Sequence, residues 1–141
     1  MLFRSLGVTR VMACIAEEYH SEDGLLWPQH LAPADVHIIV AGKGEEIAQA
    51  AETMTAELEA EGVSVLLDDR NKVSPGFKFA DAELIGIPTV IVVGRGLADG
   101  VIEVRNRLAD EKTDLPVAEV VPATVAAIRE AYAKADRKSV V

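Results

Sequence analysis

Hydrophobic spacing along this chain switches between a helical and a strand-like period, and the switches outline its elements. Val11, Ile15 and Tyr19, broadened by Met12 and Ala16, form one stripe of a helix predicted over residues 8–19. Residues 20–33 keep no period and hold Pro28 and Pro33, so they read as a linker whose Leu25, Leu26 and Trp27 pack on a neighbour. A short apolar run follows at 36–41, and Gly42-Lys43-Gly44 turns the chain. Residues 45–61 place Ile47, Ala51, Met54 and Leu58 on one buried helical face, with Glu45 and Glu46 at the positive end of the helix. Gly62 closes that helix, and residues 63–67 read as a second buried strand. A long helix between two such strands implies a parallel, right-handed crossover.

Beyond a charged connection the spacing predicts a short helix over 77–85 with Leu84 and Ile85 inward, then Pro88 and a strand at 89–93. The run Val90-Ile91-Val92-Val93 suits burial on both faces. Residues 101–107 alternate loosely, as a strand nearer an edge, and put Glu103, Arg105 and Arg107 on one face. A fifth strand is expected at 115–121, and Pro122 opens a C-terminal helix with Val125, Ile128 and Tyr132 as its buried stripe. The sum is an α/β domain of three layers, a mixed sheet of about five strands flanked by helices. It starts near Ala32 and leaves residues 1–31 as a separate leading piece.

Composition narrows the setting. Half of the 141 residues are apolar, enough for a real core and against disorder. No apolar run is long enough to span a membrane, and the N-terminus lacks the apolar centre of a secretory signal. The single cysteine, Cys14, excludes an internal disulfide and reads as a small packing residue, so a reducing cytoplasm is the simplest compartment. His20, His30 and His37 lack ligand spacing, which speaks against a metal site; His37 reads as a partly buried, hydrogen-bonded strand residue.

Charge adds a contrast. The net charge of −9 opposes indiscriminate binding to nucleic acid, whose affinity is largely electrostatic. The acid is concentrated in residues 1–62, with three basic and eleven acidic side chains, whereas residues 63–107 carry six of each. Any RNA contact therefore belongs in the middle third, where it is selective and modest in strength.

That third contains the most informative stretch, residues 68–88, which sets Phe77 and Phe79 among Asp68, Asp69, Arg70, Lys72, Lys78, Asp81 and Glu83 around a Pro75-Gly76 break. Rings among donors and acceptors of both signs suit a flat ligand with polar edges, such as an unstacked base. Phe79 is open between a base platform and a core residue, and Phe77 reads as core. Glu83 is open between a base reader and a solvated helix residue paired with Lys78 or Arg70. Asp68 and Asp69 also suggest the acidic pair of metal-dependent phosphoryl transfer, against a turn or an ion pair to Arg70. Lys43 between glycines fits neither phosphate-loop pattern and reads as a simple turn.

Trp27-Pro28, Ala32-Pro33, Asp68-Asp69-Arg70, Pro75-Gly76-Phe77-Lys78-Phe79-Ala80-Asp81, Glu83-Leu84-Ile85-Gly86-Ile87-Pro88 and Val92-Val93-Gly94 form one long ordered set. By these motifs, residues 32–141 resemble the C-terminal anticodon-binding domain of bacterial prolyl-tRNA synthetases, a class II family. Gly7-Val8-Thr9-Arg10-Val11-Met12-Ala13 resembles the last catalytic motif of class II synthetases, with Arg10 at the arginine that contacts ATP, although Ser5 stands where the pattern has glycine. Residues 1–31 then resemble the end of a catalytic domain plus a linker.

The resemblance implies docking of the anticodon loop of proline tRNA, whose second and third anticodon positions are guanines. It ties Phe79 to base stacking and Glu83 to base reading. Lys78 or Arg70 would neutralise phosphate or reach O6, and Arg105, with Arg107 as a second candidate, would contact base or backbone. For the parent ligase it implies ATP and Mg2+ and a homodimer through the catalytic domain; this chain alone would hold no catalytic residue, no cofactor and no metal. The rival reading is a standalone interaction or regulatory domain without catalysis.

Overall fold

The computed structural model describes residues 6–138, the side chain of Lys138 excepted, so Leu2, Phe3 and Ser5 lie outside the described residues. After helix α1 (Val8–Glu18) and a short 3-10 turn at Gln29–Leu31, the chain runs β1 (Val36–Val40), α2 (Glu45–Ala60), β2 (Val65–Asp68), α3 (Pro75–Ile85) and β3 (Thr89–Val93). A second 3-10 turn at Arg95–Asp99 leads to β4 (Val101–Asn106), β5 (Glu111–Pro116) and α4 (Val117–Lys138). The five strands form one mixed sheet in the order β2-β1-β3-β4-β5. β1 pairs in parallel with β2 and β3, while β4 runs antiparallel to β3 and to β5.

Strand alternation assigns the layers. Val36, Ile38 and Val40 of β1, with Ile91, Val93 and Ile102, meet Ala51, Met54 and Leu58 of α2 and Val120, Val125 and Ile128 of α4 in one buried cluster. The intervening residues Ile39, Val90 and Val92 face the other way, onto Ala82 and Phe79 of α3. Two helices thus cover one face and a single helix covers part of the other. The part left open lies over β4 and β5.

The C-terminal segment departs from the sequence reading. The fifth strand is Glu111–Pro116, not 115–121, and α4 begins at Val117 with Pro122 inside it. Glu111, Lys112, Thr113 and Asp114 are exposed and carry no apolar alternation, so the strand is defined by pairing with β4 alone. Val117, Val120, Val121, Val125 and Ile128 keep helical spacing toward the core, which stabilises the helix despite the hydrogen bond Pro122 cannot donate.

No residue of α1 is buried, and Val8, Val11 and Met12 are exposed; Cys14 is exposed too, contrary to its reading as a packing residue. The linker, by contrast, is tied to the end of α3. Trp27 donates its backbone N–H to Gly86 O at 3.0 Å and its indole Nε1–H to Ile85 O at 3.0 Å. Gly86 ends α3 at φ 81°, and a Cβ there would lie 2.6 Å from the Leu25 Cβ, so both conformation and space require glycine.

Candidate nucleic-acid interface

Helix α3 fixes the site through its phase. Lys78 and Ala82 point inward, four residues apart. Phe77 and Leu84, expected inward, are instead exposed, at 70% and 63%. Phe79 and Glu83, one step round from the buried pair, fall on the flank that overlooks β4. On β4, Ile102 is in the core, and Glu103 and Arg105 project to the opposite, α3-bearing face.

The two elements meet through charge and an aromatic ring. The Arg105 guanidinium carbon lies 4.8 Å from the centroid of the Phe79 ring. Arg105 Nε also donates to Glu103 Oε1. Arg107, just past β4, donates Nη2–H to Glu83 Oε2 and Nη1–H to Ala82 O, the latter at 3.4 Å. Its side chain is only 10% exposed, against 35% for Glu83, so the pair presents a carboxylate outward on a buried cationic support. An open cleft of about 500 Å³ runs beside this group, bounded by the bases Arg105, Arg107 and Lys112, by the acids Glu22, Asp23, Glu83, Asp110 and Glu111, and by Leu26 and Asn106. Arg105 and Glu83, which the sequence placed on different elements, thus line one recess.

Lys78 and Arg70 sit elsewhere. Lys78 is 2% exposed, and its ammonium donates to Val40 O at 2.8 Å and to Asp68 O at 3.2 Å, 3.7 Å from Asp68 Oδ1. The phosphate or O6 contact expected of it does not fit that burial: the charge is used to tie α3 to the ends of β1 and β2. Arg70 donates Nε–H and Nη2–H to Asp68 at 2.8 and 2.7 Å, and Nη2–H to Asp81 at 2.7 Å. Those bonds from Arg70 hold the Asp68 carboxyl below its ordinary range despite burial, and raise Arg70 further above its own. Asp68 is thus engaged in an ion pair and a turn, its Oδ1 also accepting the Arg70 backbone N–H. Beneath them His37 is buried, which lowers its pKa; its Nδ1 has no hydrogen-bond partner among the described residues, where a bond was expected.

Phe77 was missed as a surface residue. The signal was present in the helical period: once position 78 is inward, 82 and 85 follow, and 77 and 84 turn to solvent. A lysine at the innermost position masked that phase.

A family model described as "Anticodon binding domain" matches residues 35–127, and the chain belongs to that family. The relatives it is similar to include proline–tRNA ligases. The chain is 62% identical over 110 residues to the proline–tRNA ligase of Kocuria rhizophila, covering 78% of this chain and 18% of that protein. It is 53% identical over 124 residues to that of Arthrobacter sp., covering 88% and 21%. The chain therefore spans about one fifth of the length of these curated relatives, 18% and 21%. Among solved structures it is similar to a prolyl-tRNA synthetase from Cryptosporidium parvum complexed with L-proline and AMP, with TM-score 0.73 and 27% identity, covering 92% of this chain and 30% of that one.

Proposed function

We propose that this chain docks the anticodon loop of proline tRNA, as the C-terminal part of a proline–tRNA ligase. The observation that carries the proposal is the grouping of Phe79, Glu83, Arg105 and Arg107 on the open half of the α3 face in a domain of the anticodon-binding family. A splayed guanine offers N1–H and N2–H to a carboxylate, and O6 and N7 to an arginine. Glu83 supplies the acceptor, oriented by Arg107, and Arg105 supplies the donor while its stack on Phe79 holds the guanidinium plane. Arg70 and Lys78, paired with Asp68 and Asp81, are left for support.

The parent would activate proline with ATP and Mg2+ and esterify the tRNA terminal ribose, as a cytoplasmic homodimer. Its relatives' names support this over a standalone interaction domain. Arg10 is exposed on α1, and a lone guanidinium does not hold a nucleotide, so ATP would need further residues from the rest of the parent. Among the described residues no helix is long and apolar enough to cross a membrane.

The test is a titration of a labelled anticodon stem-loop against one with both guanines changed to adenine. The first should bind more tightly. Equal affinity for the two loops would remove base readout.

A further inference from the structure

A second recess lies at the other end of α3, with a composition at odds with the rest of the chain. The sheet's parallel strands end there. β1 leads to β2 through α2 on one face, and β2 leads to β3 through α3 on the other, so the carboxyl ends of β1, β2 and β3 open a crevice where open α/β sheets bind ligands. The crevice has a volume of about 830 Å³. Its walls carry Lys43, Arg70, Lys72, Lys78 and Arg95 and no aspartate or glutamate, in a chain with 23 acids and 14 bases.

Two of those cations are already neutralised: Lys78 and Arg70 face Asp68 and Asp81. The other three are not. Lys43, Lys72 and Arg95 are exposed and make no ion pair among the described residues. They come from three separate connections, after β1, β2 and β3, and converge only through the fold. A crevice lined by charges of one sign focuses the field and raises the local concentration of anions. Val40, Ala41, Ile47, Val73 and Pro75 provide an apolar wall beside them, suited to a sugar face. Lys78 forms its floor, and the next residue, Phe79, belongs to the reading flank.

We propose that this crevice binds phosphate groups of the RNA strand through Lys43, Lys72 and Arg95, holding the loop while the Phe79–Arg105 face reads bases. The inference rests on the anticodon reading. It assigns a positioning role to Gly42-Lys43-Gly44, which by spacing is no phosphate loop, and to Arg95. Such contacts add affinity without sequence preference.

The experiment compares stem-loop binding by the chain and by a Lys43→Ala, Lys72→Ala, Arg95→Ala variant across a salt series. A control variant, Arg129→Ala, Lys134→Ala, Arg137→Ala, makes the same change in net charge on α4. The crevice variant should bind about tenfold or more weakly at low salt, with a log–log salt slope shallower by about two. Its discrimination between guanine and adenine loops should match wild type, and the control should bind as wild type. Circular dichroism verifies folding. Wild-type binding with an unchanged slope in the crevice variant overturns the crevice alone. Failure of the wild type to bind overturns the anticodon reading and the crevice together. Guanosine monophosphate and pyrophosphate are titrated separately against the Gly42, Lys43 and Gly44 amide resonances. Saturation there, with stem-loop affinity indifferent to the substitutions, would assign the crevice to free nucleotides and overturn the RNA proposal.

Discussion

Arg105 lies over the Phe79 ring, guanidinium carbon to centroid 4.8 Å, and the contact joins β4 to α3 on the sheet face opposite α2 and α4. It holds the guanidinium over an aromatic face before any ligand arrives.

That alignment makes Arg105→Ala costly for binding. Stem-loop affinity should fall about tenfold or more, since a bidentate arginine–guanine contact is worth about 1–3 kcal/mol. Arg105→Lys restores charge but not the fork, and should recover only part of the loss. Fluorescence anisotropy with melting temperatures decides; full recovery by lysine would reduce Arg105 to a plain phosphate contact.

Glu83→Gln should act on choice more than on strength. Replacing the carboxylate by an amide loses acceptance from both guanine N–H groups, so the affinity ratio of guanine to adenine loops should shrink by about 1–3 kcal/mol. Arg107→Ala should shrink it too, because it removes the Glu83 support. A ratio unmoved by either change contradicts the assignment.

Lys78→Met should destabilise the fold rather than the complex. It leaves two buried carbonyls short of a donor and the Asp68 carboxylate short of one countercharge, a loss on the order of 3 kcal/mol read from the urea midpoint. RNA affinity of the folded variant should be unchanged.

The pH dependence of stability centres on Asp35 and Tyr132. Burial pushes the Asp35 carboxyl up, but hydrogen bonds from the Ser64 hydroxyl and amide, the Tyr132 hydroxyl and the Gln29 amide outweigh it, leaving the pKa below 3.8. A lowered native value stabilises the fold above the unfolded pKa and is lost as pH falls below about 4. Tyr132, bonded to Asp35 at 2.7 Å, is pushed from 10.0 to about 12. Its contribution is complete below pH 10 and lost as pH rises through that interval. Tyr132→Phe should cost about 1 kcal/mol at neutral pH, since the ring is partly exposed, and should remove that alkaline loss. Denaturant curves at acid, neutral and alkaline pH measure both limbs.

Sequence alone determined the α/β class, the parallel β1-α2-β2 unit, the buried β3 and the family, because apolar period and motif order are local properties. It also placed Phe79 and Glu83 on one helical flank. The strand β5 escaped it, since a polar edge strand has no apolar alternation and is defined only by the neighbour it pairs with. The inward turn of Lys78 escaped for a similar reason: a buried ammonium is tolerated only where distant carbonyls and Asp68 surround it. Tertiary structure alone decided which charges are spoken for. Lys78 and Arg70 are held by Asp68, Arg107 by Glu83, while Lys43, Lys72 and Arg95 converge from three connections with no ion pair among the described residues. Pairing depends on distances between segments far apart in the chain, and those are set only when the sheet forms.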